Sequence, residues 1–114
     1  MSNCVFCKII AGEIPSRLVH EDVHCIAIRD INPQAPVHLL VVPREHIRTI
    51  SDLQERHEPM AGHLLRVGAL MAKEMGIAES GYRLVFNTNE DAGQTVFHIH
   101  LHVMGGREFG WPAG

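Results

Sequence analysis

Apolar positions along the chain follow two periods. Val5, Phe6, Ile9 and Ile10 recur at spacings of one, three and four and stop before Gly12 and Pro15, which predicts a short amphipathic helix over residues 4–11. Residues 17–20 and 23–29 are rich in strand formers and are split by Glu21 and Asp22, the pattern of a hairpin. Residues 30–36 contain Asn32-Pro33 and Pro36; proline disfavours helix at the position before it, so a surface loop is expected. Residues 37–42 read as a buried strand. Ser51 with Gln54 three residues on resembles a capping box, Pro59 suits a first helical turn, and Met60, Leu64, Val67, Met71 and Met75 recur at helical spacing up to Gly76. This predicts one long helix, bent near Pro59. Residues 82–87 and 98–104 alternate in the manner of strands, and the connection over 88–96 is polar and contains Gly93. Five strands, one short and one long helix, and no βαβ alternation predict an α+β fold with a mostly antiparallel sheet.

Composition narrows the class. The chain has 114 residues, 46% of them hydrophobic, which is enough to bury one core and too few for two, so a single domain over 1–114 is expected. A net charge of -3 gives no basic footprint for a polyanion, so no nucleic-acid partner is expected. No apolar run exceeds four residues, and the start lacks the basic and apolar regions of a secretory signal, so no membrane contact and a cytoplasmic location are expected. Three cysteines make a disulfide framework improbable and leave thiols able to hold metal.

The unusual feature is nine histidines against two lysines. His98, His100 and His102 alternate with Ile99, Leu101 and Val103, so an extended strand would carry three imidazoles on one face, about 6.8 Å apart, and three apolar side chains on the other. An exposed polar face, a metal site and histidine chemistry are all compatible with such a row, because imidazole titrates near neutrality and is the commonest metal ligand. Three rings spaced along one strand converge poorly on a single small ion, which needs nitrogens about 2.0–2.1 Å away. Phosphoryl chemistry fits better: the middle ring can attack phosphorus while its neighbours and nearby amides hold oxygens. Asn87, Gly93, Gln94 and Thr95 just upstream offer amides, a hydroxyl and close backbone approach without a lysine. Separately, Cys4 and Cys7 form a Cys-x-x-Cys pair, a spacing used both for zinc and for dithiol redox chemistry.

The segment His98-Ile99-His100-Leu101-His102-Val103-Met104 resembles the His-x-His-x-His-apolar-apolar signature of the histidine triad (HIT) superfamily of nucleotide hydrolases and transferases. Phe6-Cys7-Lys8-Ile9-Ile10, Asp30-Ile31-Asn32-Pro33-Gln34-Ala35-Pro36, Val42-Pro43-Arg44-Glu45-His46-Ile47, Gly81-Tyr82-Arg83 and Trp111-Pro112-Ala113-Gly114 look like its Hint branch. This resemblance implies a HIT-like sheet joined to a second copy in a homodimer. It implies hydrolysis of the P–N bond of purine nucleoside 5'-phosphoramidates, and of acyl-adenylates, through a nucleotidyl-histidine on His100. His98, His102 and His38 would complete the catalytic histidines. The nucleotide would lie on Phe6, Ile9, Ile28, Asp30 and Ile31, with its phosphate near Asn87, Gly93, Gln94, Thr95, His100 and His102. Asp30 would accept hydrogen bonds from ribose hydroxyls. Thr95 stands where serine is common in the branch. The resemblance further implies a structural zinc on Cys4, Cys7, His46 and His98, with no catalytic metal or organic cofactor, and brings Trp111 towards the partner's site. Two other functions fit the same residues: a dinucleoside polyphosphate hydrolase, and a nucleotide-binding interaction protein whose hydrolysis is incidental. Cys25 reads as core, and His20, His24, His57 and His63 as surface or satisfied residues.

Overall fold

The computed structural model describes residues 3–114. The elements follow in the order α1 (Val5–Ile10), β1 (Leu18–Glu21), β2 (Cys25–Arg29), β3 (Val37–Pro43), two single 3₁₀ turns (Ile50–Asp52 and Glu55–His57), α2 (Glu58–Glu74), β4 (Tyr82–Val85) and β5 (Leu101–Gly105). The five strands form one sheet in the order β1-β2-β3-β5-β4, with every neighbouring pair antiparallel. The α+β class and the antiparallel sheet are therefore as the periodicity predicts.

Strand alternation divides the core in two. Cys25, Ala27, Leu39, Val41, Leu101 and Val103 turn to the face covered by α2, where they pack with Leu64, Val67 and Met71. Ile26, Ile28, Leu40 and Val42 turn to the opposite face and pack with Phe6 of α1. Both faces of β3 are thus covered, which is why it reads as an almost unbroken apolar run.

Several boundaries differ from the sequence expectation: β2 starts at Cys25 and β4 ends at Val85, and the starts of α2 and β5 shift as well. The N-terminus of α2 is not capped by Ser51: that residue lies inside the first 3₁₀ turn, and Gln54 pairs instead with His57, whose Nδ1 accepts from the Gln54 N–H at 2.8 Å. The helix begins at Glu58 with Pro59 in its first turn, so the expected bend is replaced by a separate turn. Residues 98–100 precede the paired part of β5 and join the structure through the Ile99 N–H, which donates to the Ile47 carbonyl at 2.8 Å. The end of α2 follows the expected signal. Gly76 takes φ +77°, and the Ile77 N–H reaches back to the Ala72 carbonyl at 3.0 Å.

Two glycines of α2 test the packing. A Cβ at Gly62 meets nothing within 4 Å, whereas one at Gly68 meets Leu101 at 2.9 Å and Leu84 at 3.2 Å. Gly62→Ala is expected to raise stability by roughly 0.5–1 kcal/mol through helix propensity. Gly68→Ala is expected to lose that gain to overpacking and to lower stability by about 1 kcal/mol. Urea unfolding of the two variants checks the contrast.

Candidate functional site

The β3–β5 pairing sets Leu40 opposite His102 and His38 opposite Met104, so His38 and His102 are diagonal neighbours on the α1 face of the sheet. Their rings meet: His38 Nε2 lies 2.9 Å from His102 Nδ1. His100 is adjacent, with its ring centroid 5.0 Å from that of His102 and 4.9 Å from that of Phe6. The rings of Phe6, His100 and His102 border a cleft of about 630 Å³ whose walls include Phe6, Ile9, Ile28 and Leu40 on the apolar side and Asp30, Thr95, His100 and His102 on the polar side.

Hydrogen-bond polarity assigns the protons. His100 Nδ1 is 2.8 Å from the His98 carbonyl. A carbonyl only accepts, so Nδ1 carries the hydrogen and Nε2 keeps its lone pair. His38 Nδ1 accepts from the Gln34 N–H at 3.0 Å, so the His38 proton sits on Nε2. That proton is donated to His102 Nδ1, with Asp30 Oδ2 a second acceptor at 3.4 Å. His102 in turn carries its hydrogen on Nε2. The two neighbouring rings are therefore complementary, one presenting a nucleophilic nitrogen and the other an N–H donor.

Burial favours the neutral rings. It pushes His100 and His38 below their ordinary value, against the opposing pull of the Asp30 carboxylate. His102 is lowered to about 4, first by burial and then by the neighbouring His100 and His38.

The expected nucleotide residues divide into three groups. Phe6, Ile9, Ile28, Asp30, Thr95, His100 and His102 come together in the cleft. Ile31 stands on its rim, fully exposed. Asn87, Gly93 and Gln94 are not among the lining residues. Gln94 is buried, and its side chain is occupied in shaping the loop: Oε1 accepts from the Asn89 N–H at 2.8 Å, and Nε2 donates to the carbonyls of Arg48 at 2.8 Å and Val96 at 3.1 Å. Gly93 has φ +86°, a left-handed conformation that suits glycine. Sequence reasoning missed Leu40, Val96 and the segment 14–17 as lining residues. Leu40 carried a usable signal, because it lies two positions from His38 on one strand; the 14–17 segment carried none.

A second constellation lies beside the first. Cys4 Sγ is 3.4 Å from His98 Nδ1, Cys7 Sγ is 3.3 Å from His46 Nδ1 and 3.6 Å from His98 Nδ1, and the two Nδ1 atoms are 3.1 Å apart. A tetrahedral ion with bonds of about 2.3 Å to sulfur and 2.05 Å to nitrogen needs separations of about 3.6 Å and 3.3 Å. The four donors thus form a group positioned to bind a metal. The fully buried His98 donates from Nε2 to the Pro43 carbonyl at 2.8 Å, which fixes the tautomer that turns the Nδ1 lone pair towards the thiols. Cys4 Sγ also accepts from the Cys7 N–H at 3.5 Å, capping α1.

Comparison with known proteins adds an independent line. A family model described as scavenger mRNA decapping enzyme C-terminal binding matches residues 3–109. The purine nucleoside phosphoramidase of Escherichia coli (strain K12) is 49% identical over 106 residues, covering 93% of this chain and 89% of that protein. A HIT-like protein of Synechococcus elongatus is 46% identical over 112 residues, covering 98% and 97%. The crystal structure of a HIT family hydrolase from Legionella pneumophila Philadelphia 1 superposes with a TM-score of 0.96 at 50% identity, covering 98% of this chain and 100% of that one. A HIT family hydrolase from Clostridium thermocellum gives 0.93 at 47% identity and 96% coverage of both.

The depressed histidines fix the sign of the pH dependence of stability. The unfolded chain binds a proton near pH 6.5, whereas folded His102 resists protonation down to about pH 4. The stability associated with this group is complete above about pH 6.5 and is lost as pH falls towards 4. His38 and His100 shift in the same direction. Urea unfolding from pH 7.5 to 4.5 is expected to show stability falling with acidification, more shallowly in His102→Gln; an unchanged wild-type midpoint across that range would contradict the assignment.

Proposed function

Because the chain belongs to the histidine triad superfamily, we propose that it hydrolyses the P–N bond of purine nucleoside 5'-phosphoramidates, and accepts acyl-adenylates, through a covalent intermediate on His100. The observation that carries this proposal is the His100 Nδ1–H bond to the His98 carbonyl, which leaves an uncharged Nε2 lone pair at the wall of an apolar cleft. The base and ribose lie against Phe6, Ile9 and Ile28, with Ile31 closing over the rim. Asp30 receives the ribose hydroxyls, because a carboxylate is acceptor-only; its Oδ1 already holds the Asn32 N–H at 2.8 Å and retains a second lone pair. Thr95, Asn87, Gly93 and Gln94 belong to the phosphate end, Gln94 by shaping the loop.

In the proposed first step His100 Nε2 bonds to phosphorus as the P–N bond breaks. The anionic phosphate offsets the burial that holds His102 neutral, so His102 in the complex takes an extra proton on Nδ1 as the His38 Nε2–H turns to its second acceptor, Asp30 Oδ2 at 3.4 Å, and the His102 Nε2 proton leaves with the amine. In the second step water attacks phosphorus and returns a proton to His102, and the P–His100 bond breaks with its electron pair restored to Nε2. His38 orients His102, and Gln34 orients His38. No step requires a metal. Support for this substrate class comes from the phosphoramidase of Escherichia coli, similar over most of its length.

We assign Cys4, Cys7, His46 and His98 to zinc, on the tetrahedral match of their separations. When bound, the ion ties α1 to the segment that carries His98 and so holds the carbonyl on which His100 rests. We further infer one catalytic domain over 1–114, acting in the cytoplasm as a homodimer. Supporting the homodimer are the unpaired outer edge of β4 and the exposed Leu65 and Leu70 of α2. No helix among the described residues is long and apolar enough to cross a membrane.

His100→Ala is expected to lower kcat/KM for adenosine 5'-phosphoramidate by at least about 10³-fold. It should also abolish acid-labile, base-stable nucleotide label trapped on the protein during single turnover. Label that survives this substitution would place the nucleophile elsewhere. Metal analysis is expected to find one zinc per chain, lost in Cys4→Ser/Cys7→Ser with a reduced Tm; a metal-free wild type purified without chelator would refute the zinc assignment.

A further inference from the structure

A second concavity, of about 460 Å³, meets the cleft at Thr95, the residue assigned to the phosphate end; both are lined by Val5, Thr95 and Val96. Beyond those three this groove is bordered by Arg48 and Phe97, with Cys4 and His46 of the metal-capable group beside them. Among the described residues no aspartate or glutamate lines it. With zinc bound, the thiolates of Cys4 and Cys7 balance the charge of the ion. The unbalanced charge in the groove is then the Arg48 guanidinium.

Arg48 is fixed through its backbone while its side chain stays available. It is exposed between the buried Ile47 and Thr49. Its carbonyl accepts from Gln94 Nε2 at 2.8 Å, which ties it to the loop that carries Thr95, and the preceding Ile47 carbonyl accepts from the Ile99 N–H at 2.8 Å. The guanidinium carbon lies over the Phe97 ring, 4.8 Å from its centroid. That contact orients the side chain without supplying a lone-pair acceptor for its five N–H donors. No carboxylate or carbonyl accepts from them among the described residues. Arg44, Arg56, Arg83 and Arg107, by contrast, each donate to a carbonyl or a carboxylate.

We propose that this groove receives the amine leaving group and that Arg48 selects amines bearing a carboxylate. The preferred substrates are then nucleoside 5'-phosphoramidates of amino acids, joined through the amino nitrogen with the carboxylate free. The inference rests on the phosphoramidate chemistry assigned to His100. Phosphorus carries two substituents that need room, the nucleoside and the amine. The nucleoside takes the end of the cleft formed by Phe6, Ile9, Ile28 and Asp30, so the amine extends the other way, past Thr95, into the groove that begins there. A carboxylate in the groove accepts two parallel N–H bonds from the planar guanidinium, a match that an ammonium does not offer. Val5 and Val96 give a small aliphatic side chain an apolar wall. Arg48 thus sets leaving-group preference without touching phosphorus.

The test measures kcat/KM of the zinc-loaded, full-length protein at low salt on adenosine 5'-phosphoramidate and on its N-linked alanine and alaninamide derivatives. The last two have the same shape, and only the first of them is an anion. Wild type is expected to favour the free acid over the amide by about fivefold, the upper end for an exposed charge pair. Arg48→Gln is expected to abolish that preference and Arg48→Lys to retain part of it. Arg48→Glu is expected to favour instead the derivative linked to ethylenediamine, whose free end is an ammonium. A purely structural role for Arg48 would change the rates on acid and amide together and leave their ratio alone. Equal rates on acid and amide in the wild type, or a preference that survives Arg48→Gln, would overturn the proposal while hydrolysis of the unsubstituted compound left the phosphoramidate reading standing. A wild type inert towards the unsubstituted compound would overturn both.

Discussion

His98 joins three parts of the molecule through three different atoms. Its Nε2–H donates to the Pro43 carbonyl, its Nδ1 faces Cys4, Cys7 and His46, and its carbonyl accepts the Nδ1–H of His100. A fully buried imidazole would otherwise carry a desolvation cost of several kcal/mol for unpaired polar atoms. Here each polar atom is satisfied, and each bond has a directional consequence. The first sets the tautomer, the second ties α1 to the strand region, and the third orients the ring at the cleft. Disturbing His98 therefore disturbs fold, metal-capable group and cleft geometry together.

The sheet separates stability from chemistry. The face turned to α2 is apolar along β2, β3 and β5 except for Arg29 at the end of β2, and it holds the larger core. The face turned to α1 has a smaller apolar patch that runs into the histidines without a break, because Leu40 and Ile28 belong both to that patch and to the cleft wall. This continuity has an electrostatic effect: the same apolar surroundings that could hold a nucleoside base also keep His100 and His102 uncharged, the state a nitrogen nucleophile requires.

Much of this was legible in the chain. Alternation in 98–104 marked a strand with imidazoles on one side, of which only the part from Leu101 pairs in the sheet, helical spacing marked α2, and the two-residue gap of Cys4 and Cys7 marked a metal-capable pair. His100, His102 and Thr95 were singled out by residue type, whereas Phe6, Ile9, Ile28, Asp30 and Ile31 came from the family resemblance, and these eight of the eleven expected residues line the cleft. The capping of α2 was misread because Ser51 and Gln54 match the box by type, whereas the partner Gln54 finds is His57, chosen by where the loop runs. Gln94 offered an amide by composition, but its donors and acceptor are committed to three backbone groups. His20 and His63 looked unremarkable because 43 positions separate them, and only the packing of α2 on the sheet brings both to Asp22.

The amino-acid order by itself determined which residue types recur at which period, and hence the elements, the fold class and the row of imidazoles, because side-chain direction along a strand or helix is a local property of the backbone. Tertiary structure alone decided which nitrogen of each ring carries the proton, since that depends on whether a carbonyl, an amide or another ring arrives from a distant segment to donate or accept.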